Sequence, residues 1–395
     1  DIPPTGGQMP RLLGLAEASK KFKNISALHE LSHLSKQGNE IAWGTIGNAS
    51  TSEGLFFETI NAAGVLQVPM VISIWDDGYG ISVPAEYQTT KQSISEILKG
   101  FQRDEKNKGY EIFVVQGWNY SQLIDVYQRA AKIAREEHVP VLIHVTELTQ
   151  PQGHSTSGSH ERYKSEERML WEKEFDCLVK MREWIEHFEL TDENGDVLRF
   201  CEDIKELEAL EEEAKKEVRE AKKEALNAQL EPIKKERTEL VQILEKIAPL
   251  SEHKVSLDKV KRELIKLEEP LRKNILDTAR RAIMYLKDEY EEVKTSLQKW
   301  VINYKAQQKK KYNTHLYSEL PNNATRIEAI SPEYSDESKL VDARVVLRDN
   351  FDAILNKYNE VLIFGEDSGP IGDVNQGLEG LPQKYGIERV YDTGI

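Results

Sequence analysis

Residues 68–80 read VPMVISIWDDGYG, and this stretch decides the fold class. The apolar run from Val68 to Trp75 ends in two acidic residues and a glycine-containing turn, which is typical of a buried strand leaving a sheet. Residues 41–46 form a second apolar run, and it ends in the polar sequence GNASTSEG at residues 47–54. Two further apolar runs follow at residues 112–115 and 139–145.

Helical spacing separates these runs, at residues 53–67 and 120–137. Short apolar strands alternating with helices predict an α/β fold, with a parallel sheet covered by helices on both faces. Active sites in such sheets lie at the carboxyl ends of the strands. Here those ends fall at residues 44–48, 75–79, 116–119 and 146–154.

Charge and composition exclude several classes of protein. The 395 residues carry a formal net charge of -15, which argues against a general binder of nucleic acid or anionic membranes. No apolar run reaches the roughly 18 residues needed to span a bilayer, and no basic leader precedes an apolar stretch. The two cysteines, Cys177 and Cys201, fit no zinc spacing. We therefore expect a soluble, cytoplasmic protein with reduced thiols.

Residues 166–312 are dominated by Lys and Glu and predict a helical, coiled-coil-like arm. A seven-residue repeat begins at Ile204, with Glu211 as its polar exception, and Pro232 is expected to interrupt it. A second stripe, from Val260 to Leu297, predicts another long helix. The pattern favours closely packed, roughly antiparallel helices. The alternative is a solvated charged linker without chemistry.

Three regions follow from these patterns. Residues 1–165 are predicted to form the first α/β domain, 166–312 the charged helical region, and 313–395 a linker with the start of a second α/β domain. Both ends of the sequence read as cut from a longer polypeptide, so we expect the first domain to be truncated at its N-terminus and the last at its C-terminus.

Polar residues at two strand ends predict a metal site. Asn48 and Asp77 follow neighbouring strands, and a backbone carbonyl near Tyr79 supplies a third oxygen. Mg²⁺ prefers hard oxygen ligands and commonly binds one or two carboxylates together with substrate phosphates. The helix that opens after residue 52 offers N-terminal amides to a phosphate. The alternative for Asp76 and Asp77 is a simple turn.

These motifs resemble a known family. In the α-type subunit of the thiamine-diphosphate-dependent dehydrogenase component of 2-oxo acid dehydrogenase complexes, Gly-Asp-Gly-Ala-x-Ser-Glu-Gly precedes Asn-Asn-x-Tyr-(Gly/Ala)-Ile-Ser. Residues 47–54 (GNASTSEG) and 76–82 (DDGYGIS) are similar to these two segments, within a likeness that covers residues 5–165. The resemblance implies thiamine diphosphate and Mg²⁺ as cofactors. The implied cofactor-binding residues are Gly47, Ala49, Ser50, Glu53, Tyr79, Ile81 and His154, and the implied metal ligands are Asn48, Asp77 and Tyr79.

One departure from the family pattern concerns the metal. The family's metal-binding Asp is Asn48 here, and its metal-binding Asn is Asp77. The two changes are complementary, because one amide and one carboxylate remain. We expect an exchanged magnesium site that still binds the ion.

Two later segments extend the resemblance. Residues 152–157 (QGHSTS) are similar to the family's active-site loop Gly-His-Ser-x-Ser, which implies that His154 contacts cofactor and substrate. Residues 365–393 resemble the start of the β-type subunit, which implies a fused chain. There Glu366 matches an acidic position near the active site, or alternatively is an ordinary turn residue. The glutamate that activates the cofactor is expected just beyond Ile395, so the fragment is expected to be inactive alone.

The implied activity is oxidative decarboxylation of a 2-oxo acid, followed by acyl transfer to a lipoyl-bearing acyltransferase, in a homo-oligomer. Two alternatives stay open. One is transketolase-like ketol transfer, which uses the same cofactor. The other is a non-catalytic scaffold built around the helical arm.

Overall fold

The structure is a computed structural model that describes residues 4–151, 153–154, 160–313, 318, 320–321 and 323–394. The chain divides into two compact units, Asp1–Phe200 with Glu337–Ile395, and Cys201–Asp336. The strands, in chain order, are β1 Ala42–Gly47, β2 Met70–Trp75, β3 Tyr79–Gly80, β4 Val83–Pro84, β5 Glu111–Gln116, β6 Val141–Thr146, β7 Glu189–Thr191, β8 Val197–Arg199, β9 Ile363–Gly365 and β10 Val390–Asp392.

Twelve α-helices accompany these strands in the described residues. They are α1 Gln8–Asn24, α2 Gly54–Leu66, α3 Ile94–Ile97, α4 Tyr120–Glu137, α5 Glu166–Glu174, α6 Cys177–His187, α7 Ile204–Ile247, α8 Lys254–Ile265, α9 Arg272–Tyr285, α10 Glu291–Tyr312, α11 Ala343–Lys357 and α12 Leu381–Tyr385. In the part of the chain that the structure describes, no helix is both long enough and apolar enough to cross a membrane.

A four-stranded parallel sheet in the order β1-β2-β6-β5 forms the centre of the first unit. Alternate residues of β2 point to opposite faces, because side chains along a strand have a period of two. Ile72 and Ile74 pack with α1 and α2, whereas Val71 packs with α4. The predicted α/β fold, with a parallel sheet between helices, is therefore confirmed.

Helix α4 shows how the sequence sets this packing. The Asn119 side chain accepts a hydrogen bond from the backbone N–H of Gln122 and so caps the first turn. Val126, Ala130 and Ala134 recur every four residues and are the buried face of the helix. The sequence predicted the bounds of this helix correctly.

Residues of the C-terminal segment pack within the same unit. Strand β9 pairs in parallel with β10, over a core that includes Leu355 and Val390. Lys21 of α1 forms an ion pair with Glu388 at 2.9 Å, and the Tyr391 hydroxyl lies 3.2 Å from a Glu17 carboxylate oxygen. These contacts join α1 to the strand that ends in Asp392.

The second unit is helical, and one prediction about it is wrong. Helix α7 continues through Pro232, although the buried residues beyond it, Ile233 and Leu240, no longer follow the spacing of the repeat that begins at Ile204. Proline removes one backbone hydrogen bond, but the buried residues that follow, including Ile233 and Leu240, stabilise the helix on the far side. The expected single stripe from Val260 to Leu297 is divided among α8, α9 and α10, since the chain turns around residues 267–271 and again near residue 288.

The buried core of this unit is formed by the second half of α7 with α8, α9 and α10. Leu240, Leu244, Leu264, Ala279 and Leu297 are all fully enclosed there. The first half of α7 contributes no buried residue. The close packing predicted for the early stripe is therefore absent among the described residues of this chain.

His138 makes the stability of the first unit pH-dependent. It ends α4 in the left-handed conformation (φ 55°), and its Nε2 atom is buried without a partner in the described residues. Burial, and then Lys23 and Lys20, lower the pKa of His138 from 6.5 to about 4. The unfolded chain therefore binds more protons than the folded chain between these two values, so stability falls as pH falls through this range.

We expect the free energy of unfolding to drop by about 1 kcal/mol between pH 7 and pH 5 through His138, after allowance for its partial exposure. Asn tolerates the left-handed conformation and does not titrate, so His138→Asn should lack this component. Urea unfolding of both proteins at the two pH values measures the difference. An equal pH dependence in the variant would contradict the assignment.

Candidate active site

A cavity of about 840 Å³ opens where β1 and β2 end. It lies at the carboxyl edge of the sheet, where ligands bind in open α/β folds. Most of the residues that the sequence predicted for the site line this cavity: Gly47, Asn48, Ala49, Ser50, Asp77, Tyr79, Ile81 and His154.

The first loop at the cavity follows β1. The Asn48 backbone N–H donates to the Trp75 carbonyl at 3.1 Å, which holds the loop against β2. The Thr51 hydroxyl donates to the Asn48 carbonyl at 2.5 Å, and the chain makes a short 3₁₀ turn before α2 begins at Gly54. Asn48 is only 6% exposed, and its amide nitrogen has no partner among the described residues. A buried amide without a partner is costly, and a bound ligand would relieve that cost.

The second loop follows β2 and is held by its own carboxylates. Asp76 accepts from the Gly78 N–H at 2.8 Å, and Asp77 accepts from the Tyr79 N–H at 3.1 Å. The left-handed φ of Gly78, 81°, allows this tight turn. The turn predicted as the alternative reading of the acidic pair is therefore present, and it directs Asp77 into the cavity.

The two loops approach each other closely at Gly80. A Cβ atom at this position would lie 2.8 Å from the Ala49 Cβ and 2.7 Å from the Gln88 side-chain oxygen. Glycine is therefore required for the loops to meet. Because they meet, Asn48 and Asp77 face the same space.

The available oxygens fit a hard cation. Asn48 supplies an amide and Asp77 a carboxylate. Tyr79 can supply its carbonyl, because the Gly78 carbonyl makes the cross-strand bond, accepting from the Ala85 N–H at 2.9 Å, and carbonyls alternate in direction along an antiparallel strand. Burial raises the pKa of Asp77 above its usual range, and the Tyr79 N–H and Lys164 oppose part of that rise. A cation beside Asp77 would offset its burial. The described residues contain no cluster of three or more His, Cys, Asp or Glu suited to a metal, so a site here depends on amide and backbone oxygens.

A buried hydrogen-bonded chain behind the second loop was not predicted from the sequence. His144 of β6 is 1% exposed, and its Nε2 atom lies 2.9 Å from Asp76 while its Nδ1 atom lies 2.8 Å from the Ser95 hydroxyl. The Asp76 N–H also donates to the Val145 carbonyl at 2.9 Å. These bonds fix the residue next to Asp77 to the neighbouring strand.

We expect His144→Phe to lower the free energy of unfolding by about 2–3 kcal/mol, because Asp76 and Ser95 would lose their buried partner. His144→Gln is the matched control, since an amide can still bond to both, and a loss of about 1 kcal/mol is expected. Urea unfolding followed by tryptophan fluorescence suits the measurement, because five of the six tryptophans lie in the first unit. Equal losses in the two variants would contradict a role for the hydrogen-bonded chain.

A second unpredicted cluster holds the other side of this loop. The Arg168 guanidinium donates to the Asp77 carbonyl at 2.8 Å and to Glu172 at 2.8 Å. The Lys164 ammonium donates to both oxygens of Glu172 at 2.7 and 2.8 Å, and both side chains are 1% exposed. The Lys164 ammonium also lies 5.2 Å from the centre of the Tyr79 ring. The spacing of Arg168 and Glu172, four residues apart, was a signal in the sequence, but it lies in a charged run that reads as solvated.

Two predicted site residues lie outside the cavity lining. Glu53 is exposed and precedes the first residue of α2. Glu366 is exposed in the turn after β9. His154 lines the cavity, but Gln152 and residues 155–157 of its predicted loop are outside the described residues.

The fold and the cavity define an α/β protein with a ligand site at the ends of its parallel strands. Comparison with known families is more specific. The family model described as "Dehydrogenase E1 component" matches residues 3–234, more than half of the chain. The chain belongs to this family.

Similarity to individual proteins supports this family assignment. The chain is 31% identical over 142 residues to 2-oxoisovalerate dehydrogenase subunit alpha 2, mitochondrial, from Arabidopsis thaliana, which covers 35% of this chain and 28% of the relative. It is 25% identical over 147 residues to the pyruvate dehydrogenase E1 component subunit alpha of Rickettsia typhi, covering 37% and 42%. It is 33% identical over 69 residues to 2-oxoisovalerate dehydrogenase subunit beta of Pseudomonas aeruginosa, covering 17% and 20%. The chain thus spans less than half the length of these relatives.

Proposed function

We propose that this protein carries out oxidative decarboxylation of a 2-oxo acid with thiamine diphosphate and Mg²⁺, and transfers the acyl group to a lipoyl-bearing acyltransferase. The observation that carries the proposal is the meeting of Asn48, Asp77 and Tyr79 at one cavity. Relatives named as subunits of 2-oxoisovalerate and pyruvate dehydrogenases support the substrate class.

Each residue has a stated task in this proposal. Asn48, Asp77 and the Tyr79 carbonyl hold Mg²⁺, and the loop of Gly47, Ala49 and Ser50 receives the diphosphate. Tyr79 and Ile81 form the cavity wall that positions the cofactor. When bound, the thiazolium of thiamine diphosphate supplies the electron sink for decarboxylation.

His154 is proposed to orient the substrate and to move a proton at the reacting carbonyl oxygen, which an imidazole can do near neutral pH. It lines the cavity together with Gln150. Glu53 does not line the cavity, so it is proposed to affect cofactor binding indirectly, from its place ahead of the first turn of α2.

We also propose a chain that combines α-type and β-type parts. Its matches to relatives named alpha and to one named beta support this arrangement. Glu366 does not line the cavity of its own chain, so its proposed catalytic task requires the cavity of a second copy. The proposal therefore includes a homo-oligomer.

The first test is calorimetric titration of the chain with thiamine diphosphate, with Mg²⁺ and with EDTA. Binding that requires Mg²⁺ is expected. With the full-length protein, reduction of an artificial electron acceptor is then followed with pyruvate, 2-oxoglutarate and branched-chain 2-oxo acids, and with a sugar-phosphate panel. Turnover with sugar phosphates alone would replace the proposal with ketol transfer, and a folded chain that binds no cofactor would favour the scaffold.

A further inference from the structure

The first half of α7, residues 204–229, is named here the exposed arm. It is about 39 Å of helix at 1.5 Å per residue. Among these residues only Leu207 and Glu211 are half-buried, and all the others are exposed. Val218 is 68% exposed and Leu210 60%. Apolar side chains at a constant spacing along an exposed helix favour a partner helix.

We propose that the exposed arm pairs with the same segment of a second copy of this chain, as an antiparallel two-stranded coiled coil. The pairing stripe repeats every three and four residues and consists of Ile204, Leu207, Glu211, Ala214, Val218, Ala221, Ala225 and Ala228. A contact between two copies about a two-fold axis uses the same patch on both, so the stripe must fit itself.

Side-chain size selects the antiparallel register. With the copies centred on residue 216, Ile204 faces Ala228 and Leu207 faces Ala225. Each large residue then lies opposite a small one, as close packing of two helices requires. A parallel pairing in register places Leu207 on Leu207 and alanine on alanine, which leaves gaps in the second half.

Glu211, the charged residue in the pairing stripe, also favours the antiparallel register. In the antiparallel register Glu211 faces Ala221, whereas a parallel pairing places Glu211 against Glu211 between the helices. Two like charges at a helix interface destabilise it. The antiparallel pairing avoids this repulsion.

The distribution of charge along the exposed arm also favours the antiparallel register. Residues 204–213 contain one Lys and five Glu, a net charge of -4, and residues 219–228 contain three Lys or Arg and two Glu, a net charge of +1. The antiparallel register places these two stretches side by side. A parallel pairing places the -4 stretch against itself. A second copy of the arm thus satisfies both the size pattern and the charge pattern.

Spin-label distances in the full chain test this pairing. In a background with Cys177→Ser and Cys201→Ser, labels are placed singly by Gln229→Cys and by Lys215→Cys. Antiparallel pairing centred on residue 216 brings residue 229 level with residue 203 of the other copy, so the 229 labels should be separated by roughly 39 Å along the axis. The 215 labels should be close, within about 20 Å, because neighbouring helix axes lie 8–10 Å apart.

Val218→Glu places a charge in the stripe, and at least about a tenfold loss of the paired population is expected. Ala209→Glu, on the opposite face of the same helix, is the matched control and should leave both distances unchanged. Short distances at both labels would show parallel pairing and overturn the proposal. So would a folded chain with no defined distance, or distances that survive Val218→Glu.

Discussion

Asp77→Ala is expected to abolish magnesium-dependent binding of thiamine diphosphate, with an affinity at least about 100-fold weaker than in the unchanged chain. Asp77 is the one carboxylate at the proposed metal position that lines the cavity, and Asn48 beside it is neutral. Alanine removes the charge and an oxygen ligand together. Calorimetric titration with Mg²⁺ and the cofactor measures the loss, and circular dichroism checks that the variant is folded. Unchanged binding would refute the assignment.

Exchanging the residues at positions 48 and 77 provides a sharper control. Asp77→Asn leaves two amides, and Asn48→Asp leaves two carboxylates in one buried space, so each single change should weaken binding of the metal. The double variant Asn48→Asp with Asp77→Asn keeps one amide and one carboxylate. It should recover most of the affinity, because the net charge of the ligand set is restored. A double variant that is weaker than both single variants would show that the two positions do not share one ion.

The sheet could be predicted from the sequence because its determinants are local. Each of the four strands is an apolar run bounded by polar turns, and Asn119 begins α4 within one turn of the residues that it caps. The position of the cavity could also be predicted from these apolar runs, because the carboxyl ends of parallel strands meet at one edge of the sheet. Asn48 and Asp77 could thus be placed together without knowledge of strand order.

The supporting contacts could not be predicted, because they depend on non-local neighbours. Asp76 and His144 are 68 residues apart, and they meet because β6 rather than β1 lies on that side of β2. Arg168 reaches the carbonyl of Asp77 across 91 residues. In the helical unit, the spacing of Leu residues was read as one stripe because periodicity alone does not reveal turns between α8, α9 and α10. Helix α7 continues through Pro232 because tertiary packing outweighs the local cost of a proline.

Glu172→Gln is expected to lower the free energy of unfolding by about 3 kcal/mol, because the Lys164 ammonium would be left buried without its counter-charge. Both side chains are 1% exposed, so water cannot replace the missing partner. Glutamine keeps the volume of the side chain, so the loss reports the charge and not a cavity. Glu183→Gln is the matched control: Glu183 pairs with Lys180 but is 48% exposed, and a change below about 0.5 kcal/mol is expected.

The double variant Lys164→Met with Glu172→Leu separates the cost of an unpaired charge from the value of the pair. Replacing a buried ion pair by apolar residues of similar volume is often neutral, so this variant should regain most of the stability lost in Glu172→Gln. Binding of Mg²⁺ should nevertheless stay weakened in it, because Arg168 loses Glu172 as its anchor while still bonded to the Asp77 carbonyl. Recovery of stability together with full metal affinity would show that Glu172 serves the fold alone. Recovery of stability without metal affinity would show that the buried pair also positions the loop that carries Asp77.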